Sequence, residues 1–310
     1  MTPQPAARCS GGSLGFASSG PDLPSHMFVV VLAAFLLSAE APATPLVEGL
    51  DHTPVAVTDL DRAANDFAKL GFIIKPGRPH KDGIRNKHVK FPNGGEIELI
   101  TASSPTDALA KEYVAWLRGG EGPASWSLYA PDLAAVTAFL SRRQLQPNDE
   151  GDVVTYSQAA VAHRLFFADR LRSPTDGPIY WAHPNTAYKL RRVWLAGSPS
   201  EVDLVVKLGA EVEPRAACSP FDSQATVYVL PREGDEIAVA PNVRRSQARN
   251  LIGVTVRVRS IAAARRILEK NHVPIVRPAS CRSDSLWVGP SSAHGLWLEF
   301  AQGEMHREFR

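Results

Sequence analysis

The segment LDHTPVAVTDLDRAANDFAKLGF, residues 50–72, predicts a strand followed by a helix. Residues 50–57 alternate in polarity and are rich in β-branched side chains, as half-buried strands are. Asp59 stands where a helix N-cap is expected, because its carboxylate can accept bonds from the first free backbone N–H groups. Gly71 can adopt the left-handed conformation that ends a helix. The apolar positions between these two residues have helical spacing: Leu60, Ala63, Ala64, Phe67 and Leu70.

Three further strands are predicted after this helix. They cover residues 72–75, 86–91 and 96–101, and the turn sequences Pro76-Gly77 and Asn93-Gly94-Gly95 separate them. The order of elements is therefore β-α-β-β-β.

This β-α-β-β-β module recurs along the chain. We define module one as residues 50–101, module two as 125–182, module three as 192–240 and module four as 251–301. Lys207-Leu208-Gly209 repeats the helix end Lys69-Leu70-Gly71 letter for letter. A single module leaves one sheet face and one sheet edge uncovered, so modules are expected to pair. The predicted fold class is α+β, with tandem paired βαβββ modules, four modules forming two half-barrels.

Paired βαβββ modules resemble the vicinal oxygen chelate superfamily, which includes glyoxalase I and extradiol dioxygenases, and above all its glyoxalase-like domain family. The residues that carry the resemblance are 50–72, HKDGIRN at 80–86, GEIELI at 95–100 and PIYW at 178–181; SAHGLWLEF at 292–300 is similar to the usual last strand. The resemblance implies a first glyoxalase-like domain at 46–183 and a second, degenerate one at 190–302, each of two modules.

His52 and Glu98 are the first candidate site residues. Strand alternation places His52 on the face opposite Val55, and Glu98 on the face opposite Leu99, away from the helix. Imidazole and carboxylate together suit a divalent transition metal, and in the resembling superfamily these two strand positions are metal ligands. The alternatives are a hydrogen-bonded pair without metal and solvent-exposed groups. Zn, Fe, Mn and Ni are not distinguished.

The third ligand depends on how the modules pair. If module one pairs with module two, His80 or His88 is the candidate, either as a ligand or as a catalytic general base. If module one pairs with module four, Glu299 joins His52 and Glu98. Members of the resembling superfamily show both arrangements. Precedent in the glyoxalase-like domain family, which the chain resembles most, favours the sequential pairing of module one with module two.

The other modules depart from the metal-binding pattern. Ser125 stands at the histidine position of module two and Tyr180 at its glutamate position, while Gly253 replaces the histidine of module four. Asn86, Trp126 and Tyr180 are the candidate pocket residues. Core packing is the alternative for Trp126.

Residues 1–45 read as a leader and a disordered segment. The apolar run Met27–Leu37 is too short to cross a bilayer, which takes roughly 20 helical residues. It is followed by Ala39-Glu40-Ala41, as in a secretory signal. We expect an extracytoplasmic protein; the alternatives are an apolar tail on a cytoplasmic protein, or translation that starts at Met27 instead of Met1.

Composition excludes several classes of protein. With 34 Lys and Arg against 32 Asp and Glu, the chain lacks the cationic excess of nucleic-acid binders. Three cysteines exclude a disulfide-rich scaffold, although Cys218 and Cys281 either pair or stay as two thiols. The expected partner is a small molecule, with no integral membrane span, in a monomer or a homodimer.

Three functions from different classes remain, of which the third is a structural or interaction domain whose only function is its pairing surfaces. The first is a glyoxalase-like enzyme that depends on a divalent metal, of lyase or isomerase type, acting on a small substrate with vicinal oxygens. Extradiol cleavage is disfavoured because two histidines and a carboxylate are needed and the module histidines are missing. The second is a metal-free module of the same fold that binds a small molecule.

Overall fold

The computed structural model describes residues 44–78, 83–157, 165–170, 173–197, 200–222, 224–245, 249–278 and 284–303. From Thr44 onward the chain is one compact unit. The predicted leader lies outside the described residues, so the leader and export remain predictions, as does the division into domains at 46–183 and 190–302. None of the described helices is long and apolar enough to span a membrane.

Module one follows the predicted order and adds a helix. Its elements are β1 (Gly49–Leu50), β2 (His52–Ala56), α1 (Leu60–Lys69), β3 (Lys75–Pro76), β4 (Ile84–Lys90), β5 (Glu96–Ala102) and α2 (Ala108–Leu117). Asp59 caps α1 by accepting bonds from the backbone N–H groups of Asp61 and Arg62, as predicted. The second helix, α2, has no counterpart in our sequence prediction, which assigned no element between residues 102 and 124.

Module two corrects the prediction for its last strand. Its elements are β6 (Gly122–Pro123), β7 (Trp126–Tyr129), α3 (Leu133–Arg142), β8 (Gln146–Asp149), β9 (Val153–Ser157) and β10 (Leu165–Ala168). We expected the last strand at residues 177–182, but Pro178–Tyr180 is a short 3₁₀ turn. The place beside β7 is already taken, because β10 lies parallel to it with Leu165 opposite Trp126.

Modules three and four match the prediction more closely. The elements are β11 (Ala187–Ala196), α4 (Glu201–Lys207), β12 (Glu211–Ala217), β13 (Ala225–Val229), β14 (Glu236–Ala240), β15 (Leu251–Val258), α5 (Ile261–Lys270), β16 (Ile275–Val276), β17 (Leu286–Val288) and β18 (Trp297–Gln302). The sequence predicts strands at residues 236–240, 251–258 and 286–288 and a helix at 261–270, and β14, β15, β17 and α5 have these bounds. The fold class, α+β with paired βαβββ modules, is confirmed.

Modules pair in chain order. Modules three and four share one eight-stranded sheet in the order β12-β13-β14-β11-β15-β18-β17-β16. Modules one and two form the sheets β3-β4-β5-β2-β6 and β1-β7-β10-β9-β8. These two sheets meet where the Asp51 N–H donates to the Ser127 carbonyl at 3.0 Å and the Ala124 N–H donates to the Pro54 carbonyl at 2.8 Å.

The main core lies beneath the helices on the convex sides of the sheets. Val55 and Leu99 are fully buried there with Phe67 of α1. Phe72 of module one stacks on Phe300 of module four, with ring centroids 5.7 Å apart. The concave sides are thus left to form two cups: the first cup is the concave face of modules one and two, and the second cup is that of modules three and four.

Candidate functional site

The first cup brings His52 and Glu98 together. The two residues lie on parallel neighbours β2 and β5, where Pro54 is opposite Glu98 and His52 is opposite Glu96. Because side chains alternate along each strand, both groups point away from Val55 and Leu99. The His52 Nε2 atom is 3.9 Å from Glu98 Oε2.

His52 is held by groups on its other ring nitrogen. Its Nδ1 atom bonds to the Asp51 carboxylate and lies 3.1 Å from Ser127 Oγ, which itself donates to Asp51 Oδ2 at 2.9 Å. Burial by itself lowers the pKa of His52, but the charge and hydrogen bond of Asp51, with the charges of Glu96 and Glu98, outweigh it and raise this pKa to about 9. In the protein alone, His52 therefore carries a proton at neutral pH.

Glu98 is oriented by an amide from the neighbouring strand. Asn86 on β4 donates from Nδ2 to Glu98 Oε1 at 2.6 Å, which leaves Oε2 on the side of His52. Gly77 allows this packing, since a Cβ atom there would fall 1.8 Å from the Asn86 amide oxygen. The predicted pocket residue Asn86 is thus a direct partner of Glu98.

His88 lies two residues further along β4 and pairs with Glu96. The His88 Nδ1 atom is 3.3 Å from Glu96 Oε1, and Lys90 forms an ion pair with the other carboxylate oxygen. Burial by itself raises the pKa of Glu96, but the bond from His88 and the charges of His88, Lys90 and His52 hold this pKa far below its usual range. Glu96 is therefore an anion at every physiological pH.

His52, His88 and Glu96 line a small polar cavity in the first cup, whereas Glu98 and the predicted pocket residue Asn86 are not among its lining residues. Its volume is about 190 Å³. Four cationic side chains from modules one and two line it with His52, His88 and Glu96: Lys75, Arg78, Lys90 and Arg170. A cavity of this size and polarity suits a small, oxygen-rich molecule, since larger organic ligands occupy roughly 300 Å³ or more.

Glu299 lies in the second cup. It is on β18 opposite Thr255 of β15, in the sheet of modules three and four. Thr255 donates to it at 2.5 Å, and Arg192 Nη1 is 3.6 Å from its Oε2 atom. The crossed pairing that would bring Glu299 to His52 is absent from the described sheets, because β11 and not β2 occupies the position beside β15.

Two predicted pocket residues lie elsewhere. Trp126 is fully buried in the main core, because alternation along β7 turns its neighbour Ser127, and not Trp126, toward His52. Tyr180 belongs to the 3₁₀ turn after module two and is not among the residues that line the cavity. His80 and Cys281 lie outside the described residues, so the role of His80 and the pairing of Cys218 remain predictions.

Phe166 occupies the glutamate position of module two. It lies on β10 opposite Ser127, as Glu98 lies opposite Pro54 in module one. Its ring meets the His52 ring edge-on, with centroids 4.8 Å apart. The second half of the first cup thus offers an apolar wall instead of a carboxylate.

Sequence reasoning missed Asp51, Ser127 and Arg170. Asp51 and Ser127 are buried polar residues next to strand ends, and an Asp directly before the candidate histidine was the available signal. Arg170 could not be found from sequence, because its partner Glu233 is brought to it by the packing of modules one and two against module three.

The donor set for a metal ion is incomplete within the described residues. No group of three or more His, Cys, Asp and Glu side chains there is arranged to hold a metal ion. His52 and Glu98 nevertheless have the arrangement of a ligand pair. The carboxylate on Nδ1 leaves Nε2 facing Glu98, as a second-shell carboxylate does for metal-binding histidines.

Comparison with known proteins identifies the first half of the chain. Residues 50–202 match the family model described as a glyoxalase-like domain. This segment is a glyoxalase-like domain. Its strand pairing and the module repeat agree with that family, and the chain has the fold of the vicinal oxygen chelate superfamily. No curated protein matches the chain in sequence.

Solved structures share the fold of the glyoxalase-like domain and of the modules that follow it. A hypothetical protein from Staphylococcus aureus has a TM-score of 0.56 at 13% identity, covering 83% of this chain and 100% of its own. A mutant of 4-hydroxymandelate synthase from Streptomyces coelicolor has a TM-score of 0.56 at 10% identity, covering 85% of this chain and 94% of its own. The 2,3-dioxygenase LapB from Pseudomonas sp. KL28 has a TM-score of 0.56 at 15% identity, covering 86% of this chain and 96% of its own.

Proposed function

We propose that this protein is an enzyme of lyase or isomerase type that acts on a small substrate with two neighbouring oxygens. The observation that carries the proposal is the convergence of His52 Nε2 and Glu98 Oε2, 3.9 Å apart at the glyoxalase-like metal position. A divalent metal ion bound there would polarise a carbonyl group of the substrate.

The residues of the first cup have separate tasks in this proposal. His52 and Glu98 hold the ion, Asp51 orients His52 through Nδ1, and Asn86 orients Glu98 through Oε1. Among the described residues the protein supplies two ligands to the ion, His52 and Glu98, so substrate, water or a residue outside the described ranges completes the coordination. Because His52 is protonated at neutral pH when no ion is bound, binding of the ion must release this proton.

The remaining lining residues bind and protonate the substrate. Arg78 is exposed at the cavity and can take a substrate oxygen, whereas Lys75 and Lys90 are already paired with Asp176 and Glu96. His88 is the described residue of the cavity suited to move a proton, because its ring lies between Glu96 and the cavity space.

Metal content of the purified chain tests the proposal. The wild type should retain close to one divalent ion per chain by plasma mass spectrometry, and both His52→Ala and Glu98→Gln should lose it. His272→Asn is the matched control: His272 is exposed and has a positive φ of 55°, which Asn tolerates. The control should keep the wild-type metal content.

A second candidate is a binding module without metal. It is favoured by the ion pair of His52 with Glu98 and the hydrogen bond from Asn86 to Glu98, because each of these two charges then has a protein partner without an ion. Retention of metal by the double variant His52→Ala/Glu98→Gln would refute the assigned site. A metal-free wild type that carries a small molecule in native mass spectrometry would establish the binding module instead.

A further inference from the structure

The second cup contains a cavity that the proposed function does not use. Its volume is about 410 Å³, roughly twice that of the first cavity. Its sheet residues come mainly from the central strands β11, β15 and β18, including Arg192, Thr255 and Glu299, and Ala217 of the edge strand β12 also lines it. Among these, Glu299 is at the position that corresponds to Glu98, and the histidine position is Gly253, so the metal pair of the first cup is not repeated.

Three arginines line this cavity instead. Arg191 and Arg192 are consecutive on β11, yet both bond to the Glu236 carboxylate, at 2.7 Å from Arg191 Nη2 and at 2.6 Å from Arg192 Nε. The register shift between Leu190 and Arg192 explains this, since a bulge turns two successive side chains to one face. Arg257 approaches from β15.

Arg191 and Arg192 bond directly to Glu236, whereas the charge of Glu236 acts on Arg257 only at a distance. Glu236 is fully buried, so its charge requires cationic partners. Within the described residues Arg257 has no carboxylate within 4.0 Å, and its one protein hydrogen bond runs from Nη1 to the Gln302 carbonyl at 2.8 Å. Burial, followed by the charges of Arg191 and Arg192, lowers the pKa of Arg257, although the charge of Glu236 acts in the opposite direction.

Two acids, Glu299 and Asp284, line the cavity beside the three arginines. Burial raises the pKa of Glu299, against the charges of Arg192 and Arg257 and the bonds from Thr255 and Ser285. Asp284 is exposed at the cavity. A guanidinium that lacks a carboxylate partner, in a cavity large enough for a carbon skeleton, matches an anionic organic ligand.

We propose that the second cup binds a small organic molecule through a carboxylate group that pairs with Arg257. A carboxylate fits better than a phosphate, because Glu299 on the neighbouring strand β18 disfavours a second negative charge on the group that pairs with Arg257. The site is independent of the metal proposed for the first cup.

Calorimetric titration of the full chain tests this proposal with three probes: succinate, its neutral analogue succinamide, and inorganic phosphate. Succinate should bind, and succinamide should bind at least about tenfold more weakly, as expected for loss of a charge-assisted bond. Arg257→Gln should weaken succinate binding by about tenfold or more. Arg259→Gln, on an exposed arginine just beyond the end of the same strand, should leave it within about twofold.

A second variant keeps the proposal testable if Arg257→Gln does not fold. Glu299→Gln preserves shape and removes the opposing charge, so succinate should bind at least as tightly as to the wild type at pH 8. The proposal is overturned if succinate does not bind at about 10 mM, if both arginine variants lose affinity equally, or if Glu299→Gln weakens binding. Tighter binding of phosphate than of succinate would overturn the carboxylate assignment.

Discussion

His183 is a histidine that the fold keeps neutral. Its Nδ1 atom accepts the Ile73 N–H at 3.0 Å, and its Nε2 atom donates to the Lys90 carbonyl at 2.9 Å. The ring is packed edge-on between Phe72 and Phe91. Burial lowers the pKa of His183 to about 4, because a charged imidazole would lose its hydration there.

The first prediction concerns stability at acid pH. In the unfolded chain His183 gains a proton below its ordinary pKa of about 6.5, whereas the folded chain gains it only near pH 4. Stability is therefore full above pH 6.5 and falls as the pH drops toward 4. Urea denaturation at pH 7.5 and pH 5 should show a loss of about 2 kcal/mol from this group.

His183→Gln is the variant for this measurement, since an amide can accept and donate at similar places. When the pH is lowered from 7.5 to 5, the free energy of unfolding of the wild type should fall by about 2 kcal/mol more than that of the variant. Equal pH dependence in the two proteins would show that His183 is not the group responsible.

At the scale of the element, the register of β10 decides the chemistry of the first cup. Leu165 is opposite Trp126 and Phe166 is opposite Ser127, so the residue that faces His52 from module two is Phe166. A shift of one residue would turn Phe166 into the core and Leu165 or Phe167 toward His52. No register of this apolar strand supplies a second carboxylate.

The second prediction follows from that register. Phe166→Glu places a third donor beside His52 and Glu98, so divalent metal should bind at least about tenfold more tightly than to the wild type. Phe166→Gln is the matched control of similar size without charge and should gain far less. Equilibrium dialysis with Mn²⁺ or Zn²⁺ measures both. Equal affinity of the Glu and Gln variants would contradict the placement of His52 and Glu98 as ligands.

At the scale of the whole molecule, Arg170 ties module two to module three. Its guanidinium forms an ion pair with Glu233 and bonds to the Leu50 carbonyl, and its side chain is 7% exposed. It also stacks over the Tyr129 ring at 4.3 Å. Beside it, Asp235 accepts the Leu50 N–H at 2.9 Å and lies 3.1 Å from Lys189 Nζ.

The third prediction compares this buried pair with an exposed one. Arg170→Gln should lower the free energy of unfolding by about 3 kcal/mol, because the largely buried Glu233 would lose its closest cation and keep only Lys189, at 3.6 Å. Arg232→Gln, on a pair with Glu48 in which the arginine is 56% exposed, should lower it by less than about 1 kcal/mol. Urea denaturation at pH 7.5 measures both, and equal losses would show that the two pairs are energetically alike.

The sequence by itself determined the modules and the faces of their strands. Hydrophobic spacing and the Asp59 cap predicted α1, and alternation placed His52 and Glu98 on the face opposite Val55 and Leu99, because side-chain direction in a strand depends only on local geometry. Helix α2 and the strands β6, β8, β9, β12 and β16 were missed.

Only the tertiary structure decided which modules share a sheet and which strand closes module two. Pairing depends on contacts between segments far apart in the chain, so local periodicity carries no information on it. That is why Glu299 was a candidate partner of His52 and lies in the second cup instead, and why Tyr180 was assigned the position that Phe166 holds. Ser127 as a partner of His52 and Glu233 as a partner of Arg170 could not be found from sequence for the same reason, since packing alone brings them together.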